Sequence, residues 1–150
     1  MEAPAAGARG AGAAPPPPWT FSAGFEVRDY ELDIQGIVNN ANYQHYFEHA
    51  RHAYLKSLGL DFAAMHESGL DPVVYRIEID YKSPLRSGER FEVRLRVERE
   101  GRLKLVFLEE AVKAPSGTLA SAARVVVAMT RGGRPVPPEE ELARRLVEGR

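Results

Sequence analysis

Residues 30–59 read YELDIQGIVNNANYQHYFEHARHAYLKSLG, and this stretch decides the fold of the chain. Its second half carries apolar residues mostly three or four positions apart, which is the spacing of one face of an α-helix. That face comprises Tyr43, Tyr46, Phe47, Ala50, Tyr54 and Leu58. Two asparagines precede it, as is typical of a helix N-cap, and Gly59 follows it as a stop. The pattern predicts a helix over residues 41–58, about 27 Å long.

An acidic residue stands just ahead of the predicted helix. Asp33 lies three positions before Gly36, in a segment with the composition of a turn. The start of a helix offers free backbone amides and a partial positive charge, which suit a developing oxyanion. A carboxylate beside such a start can act as nucleophile or general base in acyl transfer. The alternative is that Asp33 is only a turn residue.

Beyond the helix the apolar period changes from 3.6 to 2, which indicates strands. The chain first offers a strand over 21–28, and after the helix a short helical connection over 61–69. Strands then follow over 73–81, 91–98, 103–113 and 118–130. In the first of these four, the alternate residues predict one buried face: Val73, Tyr75, Ile77, Ile79 and Tyr81. The order predicts an α+β domain, with an antiparallel sheet of about five strands around one long central helix.

Two motifs resemble a known family. The first is Tyr30-x-x-Asp33-x-x-Gly36-x-Val38, followed by Asn40, Tyr43, Tyr46, Phe47-Glu48 and Ala50-Arg51. The second is Ile79-x-Tyr81-x-x-Pro84-x-x-x-Gly88-Glu89. Together they resemble the hotdog-fold acyl thioesterases, in the 4-hydroxybenzoyl-CoA thioesterase-like group that includes acyl-CoA and acyl-carrier-protein members. The resemblance covers roughly residues 21–134 and implies the hotdog fold.

The resemblance also implies a reaction, the hydrolysis of an acyl-CoA or acyl-carrier-protein thioester. Asp33 would be the nucleophile or the general base, and the amide of Asn40 would polarise the carbonyl. Substrate-binding positions would be Gly36, Val38, Asn39, Tyr43 and Arg86. No cofactor is required, and members are homodimers or homotetramers with active sites between subunits.

Several of these assignments have alternatives. Arg86 beside Pro84 would grip a phosphate of the substrate, or would simply solubilise the turn. Relatives often have His or Tyr where this chain has Asn40, and asparagine cannot supply a proton near neutral pH. A hotdog dehydratase would need a histidine near the helix start, where Asn39 and Asn40 stand. A non-catalytic acyl-thioester-binding domain is the other rival.

The histidines of the predicted helix are candidate metal ligands. His45 and His49 have i,i+4 spacing with Glu48 between them, but the order differs from that of zinc helices and no third ligand is evident. The sequence therefore predicts no metal site here. It predicts a polar face that meets solvent, a partner subunit or the sheet edge.

The composition of the chain limits the partners, the nucleophiles and the domain organisation that it can have. A net charge of −1 argues against nucleic acid as a partner, and the absence of cysteine excludes a thiol nucleophile. No apolar run approaches the length of a membrane span. Residues 1–20 are expected to be a disordered Ala/Gly/Pro-rich tail, 21–135 the hotdog domain and 136–150 a peripheral C-terminal helix. We expect a cytoplasmic protein, or a plastid protein if the tail is a transit peptide.

Overall fold

The computed structural model describes residues 18–150, in which one antiparallel sheet wraps around a helix. The helices are α1 (Asn42–Ser57), α2 (Phe62–Glu67) and α3 (Glu140–Glu148). The strands are β1 (Phe21–Glu26), β2 (Leu70–Tyr81), β3 (Arg90–Glu100), β4 (Lys104–Ala114), β5 (Leu119–Arg131) and β6 (Arg134–Val136). They are ordered β1-β3-β4-β5-β2, and β6 pairs with β5. The hotdog architecture is therefore confirmed.

Helix α1 buries the apolar face that the sequence predicts. Tyr43, Tyr46, Phe47, Ala50 and Tyr54 are each at most 5% exposed and belong to the main core. The Phe25 ring of β1 packs on Tyr46, with 5.5 Å between ring centroids. The helix has 16 residues and is one of three α-helices within residues 18–150, so a single long central helix is not confirmed.

Strand β2 lies at an edge of the sheet, and the prediction of one buried face for it is wrong. Its pairing with β5 shifts between Val74 and Arg76, which makes Tyr75 a bulge. A bulge moves the following residues to the opposite face. In addition, α1 does not cover this strand fully, and Tyr75 and Ile77 are 52% and 36% exposed.

The C-terminal part of the chain adds one strand that the sequence did not indicate. Gly132 and Gly133 both have positive φ, 57° and 74°, and they turn the chain back so that β6 pairs with β5. Within residues 18–150 the sheet thus has six strands and not about five. Helix α3 places Ala143 and Leu146 in the main core, whereas the sequence predicts a peripheral helix.

The predicted N-terminal tail lies largely outside the described residues, which begin at residue 18. Within the described part of that segment, the Thr20 amide donates to the Leu95 carbonyl. The ring of Trp19 packs against the guanidinium groups of Arg94 and Arg96, at 4.9 and 5.2 Å. None of the helices in residues 18–150 has the length and hydropathy needed to span a membrane.

Candidate active site

Asp33 is held in a tight turn ahead of α1. Its Oδ1 accepts from the Gln35 amide at 2.8 Å, and its carbonyl accepts from the Gly36 amide at 3.0 Å. Gly36 has a φ of 73°, a conformation that favours glycine. The second carboxylate oxygen of Asp33 has no hydrogen-bond partner among residues 18–150. The turn therefore fixes the carboxylate through one oxygen and leaves the other open to a ligand.

The segment between this turn and α1 is anchored on both sides. The Val38 amide donates to the Leu85 carbonyl at 2.8 Å, and the Asn39 amide donates to the Glu31 carbonyl at 2.9 Å. Glu31 also accepts from the Tyr46 hydroxyl at 2.7 Å through its carboxylate. Sequence reasoning missed Glu31, whose only signal is its place within the motif. These bonds set the position of Asp33 relative to the helix start.

The start of α1 differs from the expected asparagine cap. The N-cap position is Ala41, which makes no side-chain capping bond. Asn39 stands two residues before this N-cap, and its side-chain Oδ1 accepts from the Ala41 amide at 3.0 Å. Within residues 18–150, no acceptor binds the backbone N–H of Asn40. This amide is a free donor at the positive end of the helix.

A surface cleft of about 360 Å³ brings these groups together. Four of the predicted site residues line it: Asp33, Val38, Asn40 and Tyr43. Gly36 and Asn39 belong to the same loop but do not line the cleft, and Arg86 lies beyond its edge on an exposed turn. The basic side chain that does line the cleft is Lys82.

Tyr81 is the main residue of the cleft that sequence reasoning did not assign to it. Its hydroxyl donates to the Asn40 carbonyl at 3.0 Å, and its ring meets that of Tyr43 edge to face at 5.3 Å. The end of β2 is thereby tied to the start of α1. Tyr81 stands in the second motif, and that was the signal available.

Two of the buried tyrosines of α1, Tyr43 and Tyr46, remain neutral. Burial raises the pKa of Tyr43, and burial together with the Glu31 carboxylate raises the pKa of Tyr46. Tyr43 therefore presents a neutral phenol at the wall of the cleft.

The histidines of α1 lie outside this cleft. His45, His49 and His52 are exposed, and Glu48 approaches His52 at 4.0 Å. Across residues 18–150, no group of three or more His, Asp or Glu side chains has the arrangement of a metal site.

Comparison with known proteins assigns the family. Residues 27–146 match the model of the thioesterase-like superfamily, and the chain belongs to that family. A hypothetical protein from Aquifex aeolicus has a similar structure, with 32% identity and a TM-score of 0.77 over 84% of this chain and 98% of that one. A Thermus thermophilus thioesterase, solved with coenzyme A and Zn, has 30% identity and a TM-score of 0.73 over 88% and 97%.

Curated relatives match over shorter stretches. A chloroplastic acyl-acyl carrier protein thioesterase of Arabidopsis thaliana is 37% identical over 91 residues, which are 61% of this chain and 48% of that protein. A putative acyl-CoA thioesterase of Bacillus subtilis is 39% identical over 82 residues, 55% and 59% of the two chains. The chain spans about half the length of the curated relatives it matches.

Proposed function

We propose that the protein hydrolyses acyl thioesters at the cleft between the Asp33 turn and the start of α1. One observation carries this proposal: the same cleft is lined by Asp33, whose carboxylate has an unpaired oxygen, and by Asn40, whose backbone N–H has no acceptor among residues 18–150. The thioester carbonyl oxygen would accept from the Asn40 amide, where the helix start stabilises negative charge. The carbonyl carbon would then face Asp33.

Asp33 would act in one of two ways. As a general base it removes a proton from water, whose oxygen attacks the carbonyl carbon. As a nucleophile it attacks the carbon itself and forms an anhydride, which water then hydrolyses. In both routes the C–S bond breaks and the thiolate leaves, to be protonated by solvent. Asn40 contributes its backbone amide, so it is no obstacle that its side chain has no acidic proton to give.

The function is tested by thiol release from a panel of acyl-CoA and acyl-carrier-protein substrates. The chain has no cysteine, so a thiol-detecting reagent gives no background signal from the enzyme. We expect time-dependent release of thiol together with free acid. The two rivals give other results: a dehydratase forms an enoyl thioester without free thiol, and a binding domain gives no turnover. Either result would exclude hydrolysis.

The thiol carrier of the substrate and the cellular location of the protein are proposals as well. The relatives include proteins named for each carrier, acyl-CoA and acyl carrier protein, so both thioesters are proposed substrates. We propose a cytoplasmic location, and the chloroplastic relatives supply the plastid alternative.

We further propose that the active protein is a homodimer or a homotetramer assembled through β2. This strand has no neighbour on its outer edge among residues 18–150, and an open edge with apolar side chains invites pairing with another strand. Val73, Val74, Tyr75, Ile77 and Tyr81 are all at least 36% exposed. A second copy of β2 would cover both the edge and these side chains.

The oligomer is tested by placing a charge at the centre of this strand. Ile77→Lys is expected to shift the protein toward the monomer in analytical ultracentrifugation, because a partner strand would have to bury the ammonium group. Ile34→Lys, at a fully exposed position outside β2, is the matched control and should sediment like wild type. A wild-type monomer at micromolar concentration would contradict the assembly.

A further inference from the structure

A second cavity lies at the other end of α1. Its volume is about 360 Å³, and apolar side chains from all three helices and from β2, β4 and β5 line it. Leu55, Met65, Val74, Phe107, Val127 and Leu142 represent these elements. The cavity is distinct from the Asp33 cleft, with which it shares no lining residue.

The Asp33 cleft and the second cavity both lie where α1 meets β2. At one end, Tyr43 of α1 contacts Tyr81 of β2, beside the Asp33 cleft. At the other end, α1 and the beginning of β2 line the second cavity together, with Leu55 and Val74 among the lining residues. The helix and the strand therefore run side by side in opposite directions. Arg51 is 11 residues after Asn40, which places it about 16 Å along the helix from the free amide.

Charged side chains interrupt the apolar wall of the cavity, and Arg51 is buried more deeply than Glu48, the other one. Arg51 lines it with a side chain that is 9% exposed, and its Nη1 donates to Glu109 Oε2 at 2.6 Å. The Nε and Nη2 groups have no acceptor among residues 18–150. On the other side of the pair, Glu109 Oε1 is buried without a partner. A plain alkyl chain in this cavity would leave these donors unpaired, at a cost in free energy.

We propose that the cavity receives the distal part of an acyl chain that carries an oxygen function, which accepts a hydrogen bond from Arg51. This inference rests on the proposed thioesterase function and specifies its substrate class. The apolar lining takes the methylene groups, and the guanidinium selects the oxygenated end. A hydroxyl suits the site, because its oxygen accepts a hydrogen bond from the Arg51 guanidinium, which lines the cavity.

The experiment compares kcat/KM for three acyl-CoA thioesters: butanoyl, dodecanoyl and ω-hydroxydodecanoyl. For wild type we expect the hydroxylated chain to be preferred over dodecanoyl by at least about tenfold, the worth of one hydrogen bond to a charged group. Arg51→Met combined with Glu109→Leu replaces the ion pair by apolar groups and should abolish this preference. A wild type with no preference for the hydroxyl, or a double variant that keeps it, would overturn the role of Arg51.

Occupancy of the cavity is tested separately. Leu55→Trp is expected to lower kcat/KM for the two long chains at least about tenfold more than for butanoyl, because the indole fills the space that a long chain needs. Met65→Trp, on the half-buried face of α2, is the second variant if Leu55→Trp unfolds. Leu103→Trp, on an exposed turn, is the matched control and should not alter the ratio. Equal effects on short and long chains would show that the cavity is not used.

Failure of this inference can be told apart from failure of the proposed function. If no thioester is hydrolysed, the proposed function fails, and the cavity is examined by calorimetry with dodecanoyl-CoA and ω-hydroxydodecanoyl-CoA. Tighter binding of the hydroxylated thioester by wild type, lost in the double variant, would support the cavity assignment alone. Equal or absent binding would overturn it.

Discussion

Asp33→Asn is expected to lower kcat/KM for thioester hydrolysis by at least about a hundredfold, the scale of one acid–base group. Asparagine keeps the oxygen that accepts from the Gln35 amide, so the turn should survive. What it loses is the negative charge and basicity of the oxygen that has no partner. The loss should therefore appear in kcat, with little change in the melting temperature. Thiol release and circular dichroism on the same preparation measure both.

A matched variant controls for charge near the site. Asp29→Asn removes a carboxylate from the preceding turn, where Asp29 accepts from the Ser87 hydroxyl outside the cleft. It should keep kcat/KM within a few-fold of wild type. If Asp33→Asn were as active as wild type, Asp33 would be only a turn residue. Oxygen-18 from labelled water in the Asp33 carboxylate after one turnover would identify the nucleophilic route.

The second large effect is expected in stability, from the buried pair of Arg51 and Glu109. Arg51→Met leaves the Glu109 carboxylate buried and unpaired, which should lower the free energy of unfolding by about 3–5 kcal/mol at pH 8. The loss should be smaller at pH 5. Burial raises the pKa of Glu109 to about 7, against the opposing charge of Arg51, so without Arg51 the carboxyl binds a proton still more readily.

The direction of this pH dependence follows from the linkage between proton binding and folding. Since the folded state holds the Glu109 proton more tightly than the unfolded state, stability from this group is present below its unfolded pKa. It is lost as pH rises through about 7. Urea unfolding at pH 5 and pH 8 measures the difference between Arg51→Met and wild type. Arg51→Met with Glu109→Leu should recover most of the stability, and the stability of this double variant should no longer depend on the ionisation of residue 109. An equal loss at both pH values would mean that Glu109 does not titrate there.

The sequence predicted those parts of the fold that local patterns determine. The apolar spacing in residues 41–58 gave α1 and its buried face, because helical periodicity is a property of neighbours in the chain. The exposure of β2 was not predictable in this way. Alternation identifies a strand, but its position at the sheet edge and the bulge at Tyr75 depend on its pairing with β5. Strand β6 has three residues, too few for any pattern.

In the candidate site, too, the features set by local sequence were predictable and those set by tertiary contacts were not. The turn at Asp33 and Gly36 lies in one short segment, so the motif brought these residues to notice. The contact between Tyr81 and Asn40 joins residues 41 positions apart, and that between Arg51 and Glu109 joins residues 58 apart. The i,i+3 spacing on the helix would pair Arg51 with Glu48, but Arg51 faces the sheet and pairs with Glu109. Contacts of this kind emerge only from the tertiary fold.

The central claim is that Asp33 and the free amide of α1 face the same carbonyl. Its most direct test is a crystal structure of Asp33→Asn with an unhydrolysed acyl-CoA bound. We predict that the thioester oxygen lies about 2.7–3.2 Å from the Asn40 nitrogen, with the carbonyl carbon facing residue 33. A thioester bound with its carbonyl away from both groups would contradict the account.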